Sequence, residues 1–270
     1  MKNFFIVLFI TFLSMINLTI SKSNLKKFTN KIDAFSTFTA SAYLKSKAIA
    51  AHQDTIWVCT TSNKLYKYGG FSKGIQGTKP TSCEKIATNN DGELYVIDSS
   101  KNLHYLKKIN SSNYNWKKTE KNIVDVTVGI NGEVYILDTT GYVYEFKGDK
   151  KGSKFTTQKY ASAKSIATTF ENERVMYIVD SSGNVYRQTA SSRTKLYPNI
   201  VADKVCVNQS SFLFISTGLG IYMRNPRVND LTLFADGIAK DMGCGNKLWV
   251  VAEDGYIYEN SSSWVKVNNN

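Results

Sequence analysis

One phrase is written along this chain again and again, and a chain that repeats a phrase folds as a repeat. "YIVDSSGNVYRQ" at 177–188 is preceded by "YVIDSSKNLHYL" at 95–106 and "YILDTTGYVYEF" at 135–146, and followed by "WVVAEDGYIYEN" at 249–260. A first aromatic anchor recurs at Trp57, Tyr95, Tyr135, Tyr177, Phe214 and Trp249, and a second at Tyr66, His104, Tyr144, Tyr186, Tyr222 and Tyr258. The two stand nine residues apart in each copy, eight in the fifth, and the copies follow one another at steps of 35 to 42 residues. That period belongs to four-stranded propeller blades rather than to helical arrays. Each copy reads as an inner run such as "KSIAT" (164–168) or "EKIAT" (84–88), a polar turn, a strand such as "MYIVD" (176–180), a Ser/Thr/Gly turn, and a strand such as "NVYRQ" (184–188). A last strand is marked by a bulky residue, Trp116 or Phe155. In "VYILD" and "YVYEF", Val134, Ile136 and Val143 point one way and their neighbours the other. Six such copies predict an all-β, six-bladed propeller of four-stranded antiparallel blades over residues 35–267, which protects its sheet edges by radial repetition.

The flanks read differently. Lys2 followed by the apolar run from Phe4 to Leu13 and by small residues at Thr19 and Ser21 has the layout of a secretory signal peptide over 1–21. An uncleaved anchor is the rival reading, against which the run is short for a span of about 20 residues. Residues 22–34 read as a linker and 268–270 as a tail, and no segment of the mature chain is long and apolar enough to insert in a membrane. The expected destination is the secretory lumen or the outside of the cell. Two segments compete for the outer edge of the last blade, "FSTFTAS" (35–41) and "SSWVKV" (262–267).

Asp98, Asp138 and Asp180 end the second strand of copies 2, 3 and 4, where a carboxylate accepts backbone N–H bonds two residues on and closes an Asx-type turn. Recurring carboxylates can also be read as a calcium ring, but Thr60 and Ser216 stand at the matching places in copies 1 and 5, which favours turn chemistry. The first anchors read as blade packing rather than as a stacking site. Four cysteines suit an oxidising compartment, and the preferred pairs are Cys59–Cys83 and Cys206–Cys244, each between neighbouring blades. Cys206 and Cys244 fall one residue out of register, which leaves free buried thiols as the alternative for that pair. Asn110, Asn208 and Asn260 begin Asn-x-Ser sequons and are glycosylation candidates.

The repeat unit resembles that of the tectonin β-propeller family, which includes tachylectin-type and egg lectins. "AKSIATTFENERVMYIVDSSGNVYR" (163–187) and "CEKIATNNDGELYVIDSSKNLHY" (83–105) carry the resemblance, which extends over residues 35–267. Asp98, Asp138 and Asp180 stand where that family has Asn, and copy 5, "FLFISTGLGIYMR", departs furthest. The resemblance implies a propeller and lectin-like or scaffold roles; it does not imply a particular ligand.

The formal net charge of +12 predicts affinity for anionic surfaces. The basic excess gathers in the loops expected after the third strands: Lys67 and Lys73; Lys107, Lys108, Lys117 and Lys118; Lys147, Lys150, Lys151 and Lys154; Arg187, Arg193 and Lys195; Arg224 and Arg227. The turns after the inner strands carry Asp54, Asp91, Glu93, Glu133, Glu171 and Glu173 instead. A basic rim around an acidic centre is therefore expected, with Lys107, Lys108, Lys150, Lys151, Lys154, Arg187, Arg193, Lys195, Arg224 and Arg227 as binding residues; solvated lysines that aid solubility are the plain alternative. The partners expected are anionic polysaccharide, lipopolysaccharide or a glycoprotein, with a protein partner as the second reading and nucleic acid disfavoured by the leader. The only histidines are His52 and His104, and no nucleophile elbow, zinc spacing or phosphate loop appears. The repeats assemble no inward-facing carboxylate cluster of the kind that six-bladed hydrolases use. A protein that is not an enzyme, with no cofactor and no metal, is the expectation.

Overall fold

The computed structural model describes residues 45–67, 80, 82–89, 91–108, 114–147, 150–155, 162–226, 230–260 and 264–266. The chain is an all-β, six-bladed propeller. Blades 2 to 6 are four-stranded antiparallel sheets over 85–120, 123–154, 165–196, 202–236 and 239–266, and blade 1 shows three strands over 46–67 among the described residues. In each described blade, hydrogen bonding follows chain order from the axis outward. The hairpin at the heart of each unit pairs as its anchors predict: Tyr177 lies opposite Arg187 and Ile178 opposite Tyr186, as Tyr95 lies opposite Tyr105 and Val96 opposite His104.

Alternation along the second strands sorts side chains between two neighbours rather than between core and solvent. All five residues of Val134–Asp138 are buried. Val134 and Ile136 pack with Tyr95, Ile97 and Leu103 of blade 2, whereas Leu137 and Tyr135 pack with Ile166, Met176 and Ile178 of blade 4. Among the described residues the apolar interior is six such clusters, one per pair of adjacent blades, and the sixth joins Trp249, Val251 and Ile257 of blade 6 to Ile49, Ile56 and Val58 of blade 1. Trp57, Tyr135 and Tyr177 are fully buried, so these anchors are packing residues, each contributing on the order of 1.5–3 kcal/mol or more by burial.

Ring closure uses backbone as well as side chains. Ser46 N donates to Gly255 O at 2.7 Å and Asn246 N to Gln53 O at 3.0 Å. Gly245 makes this approach possible, because a Cβ there would lie 2.2 Å from Gln53 O. Of the two candidate closing segments, the C-terminal one takes the outer edge of blade 6, with Trp264–Lys266 pairing onto Ile257–Asn260. Residues 35–41, like the leader, lie outside the described residues. Among the described residues no helix is long and apolar enough to cross a membrane.

The turn aspartates act as expected. Asp98 Oδ1 accepts from Ser100 N at 2.9 Å and Asn102 N at 2.8 Å, Asp138 Oδ1 from Thr140 N at 2.9 Å, and Asp180 Oδ1 from Asn184 N at 2.9 Å. Their second oxygens meet His104 Nε2 at 2.8 Å, Lys151 Nζ at 2.7 Å and Tyr186 Oη at 3.2 Å, so His104 takes the place of the repeat's tyrosine. In blade 5 the pairing register corrects the sequence alignment by one residue. Ser216 lies opposite Ile221 in the ladder, and it is Thr217 whose hydroxyl accepts from Leu219 N and Gly220 N, both at 3.1 Å.

Both preferred disulfides are formed, Cys59–Cys83 between blades 1 and 2 and Cys206–Cys244 between blades 5 and 6, and no described cysteine is free. The one-residue offset expected to turn Cys206 and Cys244 apart is what brings them together. Facing blades present opposite faces to their shared interface, so side chains that meet there have opposite parity along the two inner strands. Ala48 and Ala50 meet Ile86 between blades 1 and 2 by the same rule.

Candidate functional site

The predicted basic residues divide into three groups. Lys107, Lys150 and Lys195 are exposed, as are Lys154 and Arg193, which lie over tyrosine rings: Lys154 Nζ is 3.6 Å from the Tyr142 centroid and the Arg193 guanidinium 4.3 Å from that of Tyr186. Lys151 reaches along the blade to Asp138 and covers Tyr144 at 3.6 Å. Arg187 and Arg224 turn inward. Arg227 lies outside the described residues, and Lys108 is placed only as a strand residue. Of the sequon residues, Asn208 holds the inner turn of blade 5 by accepting from Ser210 N and Phe212 N at 3.0 Å, Asn260 lies in the third strand of blade 6 opposite Trp264, and Asn110 is outside the described residues.

Strand pairing brings out a register hidden in the linear sequence. On the fourth strands, Lys118 lies opposite His104, Lys154 opposite Tyr144, Lys195 opposite Tyr186 and Lys266 opposite Tyr258. Four blades thus place a lysine at one structural position. At two of them the lysine sits over the tyrosine just before the third strand: Lys154 over Tyr142 at 3.6 Å, and Lys266 over Tyr256 at 3.3 Å, with Lys45 on the same Tyr256 ring at 3.9 Å. Blade 5 breaks the series, with Leu233 opposite Tyr222.

Arg187 and Arg224 belong to a cluster between blades 4 and 5. Arg187 donates to Glu171 Oε2 at 2.7 Å, Tyr177 Oη donates to Glu171 Oε1 at 2.7 Å, and Arg224, only 8% exposed, donates to Tyr177 Oη at 2.5 Å. Burial works against the Glu171 charge, but the Arg187 and Tyr177 bonds outweigh it and hold the carboxyl below its ordinary range. Acidic centre and basic rim are here one network, two guanidinium groups about one carboxylate, that fastens two blades.

A third region was not singled out by the repeat pattern. The inner strands of all six blades line an axial cavity of about 80 Å³. Lys85, Asp125, Ser165, Lys204 and Asp241 stand at equivalent places on the inner strands of blades 2 to 6, opposite Ile97, Leu137, Val179, Ser216 and Val251 of the second strands. Asp125 Oδ2 accepts from Ile166 N at 2.8 Å and Asp241 Oδ2 from Ile49 N at 2.9 Å, so each carboxylate satisfies an edge amide of the next blade. Lys204 pairs with Asp241, and Lys85 Nζ is 3.7 Å from Asp125 Oδ1. The sequence reading assembled no inward carboxylates; the structure places two here, each beside a lysine. The signal for Asp125 was a charge inside a short apolar run, "VDVTV"; Asp241, beside Lys240 in "KDMGC", had none. Among the described residues no group of three or more His, Cys, Asp and Glu is arranged to hold a metal ion.

No protein-family model matches the chain, and no curated protein matches it. Solved structures do. A gluconolactonase from Xanthomonas campestris superposes with a TM-score of 0.57 at 13% identity, over 79% of this chain and 84% of its own. PorZ, a surface component of the type-IX secretion system of Porphyromonas gingivalis, gives 0.57 at 12% identity over 84% of this chain and 33% of its own. YCF48, solved bound to D1 peptide, gives 0.51 at 11% identity over 83% of this chain and 82% of its own. At these identities the likeness shows the fold and no more, and it does not bear out the tectonin resemblance. It does overturn the expectation that the chain is not an enzyme. The same frame carries a gluconolactonase, and the missing inward carboxylates on which that exclusion rested are present on the axis.

Proposed function

We propose that the propeller is a secreted recognition protein that binds anionic glycans, bacterial lipopolysaccharide among them, through cations repeated blade by blade. One observation carries this reading: Lys118, Lys154, Lys195 and Lys266 occupy a single register position on the fourth strands of four blades. A cation on a tyrosine face presents both a charge and an apolar ring to a sugar acid. Each contact is weak, because an exposed ion pair is worth about 0.2–1 kcal/mol. A repetitive polyanion that engages several blades gains through effective concentration. The disulfides and the leader are in keeping with an oxidising, secretory destination. The experiment is retention of the full chain on immobilised acidic polysaccharide and on lipopolysaccharide. Retention is expected to weaken as salt rises, the Debye length being about 8 Å at physiological ionic strength, and to fall stepwise as Lys118, Lys154 and Lys195 are changed to Gln together. Retention unaltered in the triple variant would overturn the reading.

A second reading, an interaction scaffold with a protein partner, is favoured by blade 5. Val201, Leu219, Leu233 and Ile238, four of the five large hydrophobic residues exposed among those described, lie in or beside that blade, at 67%, 76%, 54% and 39% exposure. YCF48 shows that a propeller of this fold holds a peptide. Co-purification of one fixed partner, lost in Leu219→Asn with Leu233→Asn, distinguishes this reading from glycan binding, which that variant leaves intact.

A further inference from the structure

The axial cavity gathers charges apart from the outer lysines, and it gathers them with a symmetry. Taken round the ring from blade 1, the equivalent positions read Ala48, Lys85, Asp125, then Ser165, Lys204, Asp241. A small residue, a lysine and an aspartate occur in the same order in each half of the ring, so a half-turn about the axis relates Lys85 to Lys204 and Asp125 to Asp241. The backbone bonds obey the same half-turn, since each aspartate takes the amide that follows the small residue of the next half, Ile166 N or Ile49 N.

What this arrangement leaves open is donor capacity. An ammonium has three donors and no acceptor, and both lysine side chains are partly exposed, at 23% for Lys85 and 20% for Lys204. Both aspartates already spend an oxygen on backbone. Asp241 also takes Lys204, while Asp125 Oδ1 stands 3.7 Å from Lys85 Nζ, beyond hydrogen-bond reach. The two side chains act on each other unequally: a hydrogen bond from Lys204 favours the Lys85 charge, whereas the Lys85 charge disfavours that on Lys204. Burial opposes the Lys85 charge, yet Asp125 and Asp241 outweigh it and hold the group above the ordinary lysine range. At Lys204 burial prevails over Asp241, and the Lys85 charge pushes the same way, so that group is driven below the range. Two lysine side chains line a space large enough for several waters or one small ion.

We propose that a small carboxylate binds on the axis and bridges Lys85 and Lys204, one oxygen to each. A planar monoanion with two equivalent oxygens matches two donors related by a half-turn. A phosphate dianion matches less well, because Asp125 and Asp241 flank the same space and repel a second negative charge. Beside the cavity, His52 Nε2 lies 2.9 Å from Gly129 O and 3.4 Å from Gln209 Nε2, which joins the inner turns of blades 1, 3 and 5. The residues just before the equivalent positions form the ion pairs Lys47–Glu84 at 2.8 Å and Lys164–Asp203 at 3.2 Å, each between neighbouring blades.

The test uses the full, oxidised chain and sodium acetate as the probe, with sodium chloride and sodium phosphate at equal ionic strength as controls. Acetate is expected to raise the melting temperature saturably, with chloride and phosphate giving at most a non-saturating change. Lys85→Met, which keeps the aliphatic stem, is expected to weaken the acetate response at least about tenfold, as loss of a charge-assisted hydrogen bond requires. Should that variant fail to fold, the wild-type chain suffices: in an acetate titration followed through lysine side-chain nitrogen resonances, those of Lys85 and Lys204 shift together and surface lysines do not. An acetate response equal to that of chloride, one undiminished in Lys85→Met, or nitrogen shifts confined to surface lysines would each overturn the site.

Discussion

Blades 4 and 5 are neighbours with the same four strands, yet one keeps every device of the repeat and the other keeps only its interior. Blade 4 has a buried tyrosine anchor, an aspartate turn with a tyrosine hydroxyl on its second oxygen, and a lysine in the outer register. Blade 5 has a buried phenylalanine, a threonine turn and a leucine in that register. The difference teaches which parts of the unit the fold requires. Packing between blades admits no gap, because cavities in a close-packed interior are costly, so both anchors remain large and buried. Turns need any acceptor that satisfies the backbone, and the outer register needs nothing of the fold at all. A residue free to change there and yet a lysine in four blades is a residue whose role lies at the surface.

The largest effect expected is at the anchors. Tyr177→Ala and Phe214→Ala should each cost about 3–5 kcal/mol in denaturant unfolding, the range for emptying a large aromatic from a core. Tyr177 should stand at the upper end, since its loss also strips Glu171 and Arg224 of a partner. A Phe214→Ala variant that loses under 1 kcal/mol would show that blade 5 is degenerate in its packing as well.

The turns come next. Asp180→Ala should cost about 1–2 kcal/mol and Thr217→Ala less, a hydroxyl being the weaker acceptor. The two should also differ in pH dependence. Burial opposes the Asp180 charge, but the bonds from Asn184 and Tyr186 outweigh it and hold its pKa below the ordinary value. A group depressed in the folded state stabilises above its unfolded pKa of about 3.9 and loses that contribution as pH falls through the folded value. The gap between wild type and Asp180→Ala should therefore close on acidification in urea melts, while that for Thr217→Ala stays level. A gap at Asp180 that widens on acidification would refute the turn assignment.

The smallest effect on stability belongs to Leu233→Lys, which restores the outer register in blade 5. It should shift stability by no more than about 0.5 kcal/mol and strengthen retention on acidic polysaccharide. Unchanged retention would mean that the register is not what binds.

The sequence by itself determined the architecture, because strand periodicity and blade length are local properties that every copy states independently. It also determined the Asx turns at Asp98, Asp138 and Asp180, whose partners lie two to four residues away. Contacts between copies were another matter. The inward parity of Cys206 and Cys244, the identity of Thr217 as the turn residue, and the lysine register all depend on how one strand is slid against its neighbour, and a one-residue slip reverses every side chain. The axial quartet depends on still more. Lys85, Asp125, Lys204 and Asp241 stand on the inner strands of four different blades, and only closing the ring brings them to one cavity. Tertiary structure alone decided that site, because its partners are joined by rotation about an axis that no stretch of chain contains.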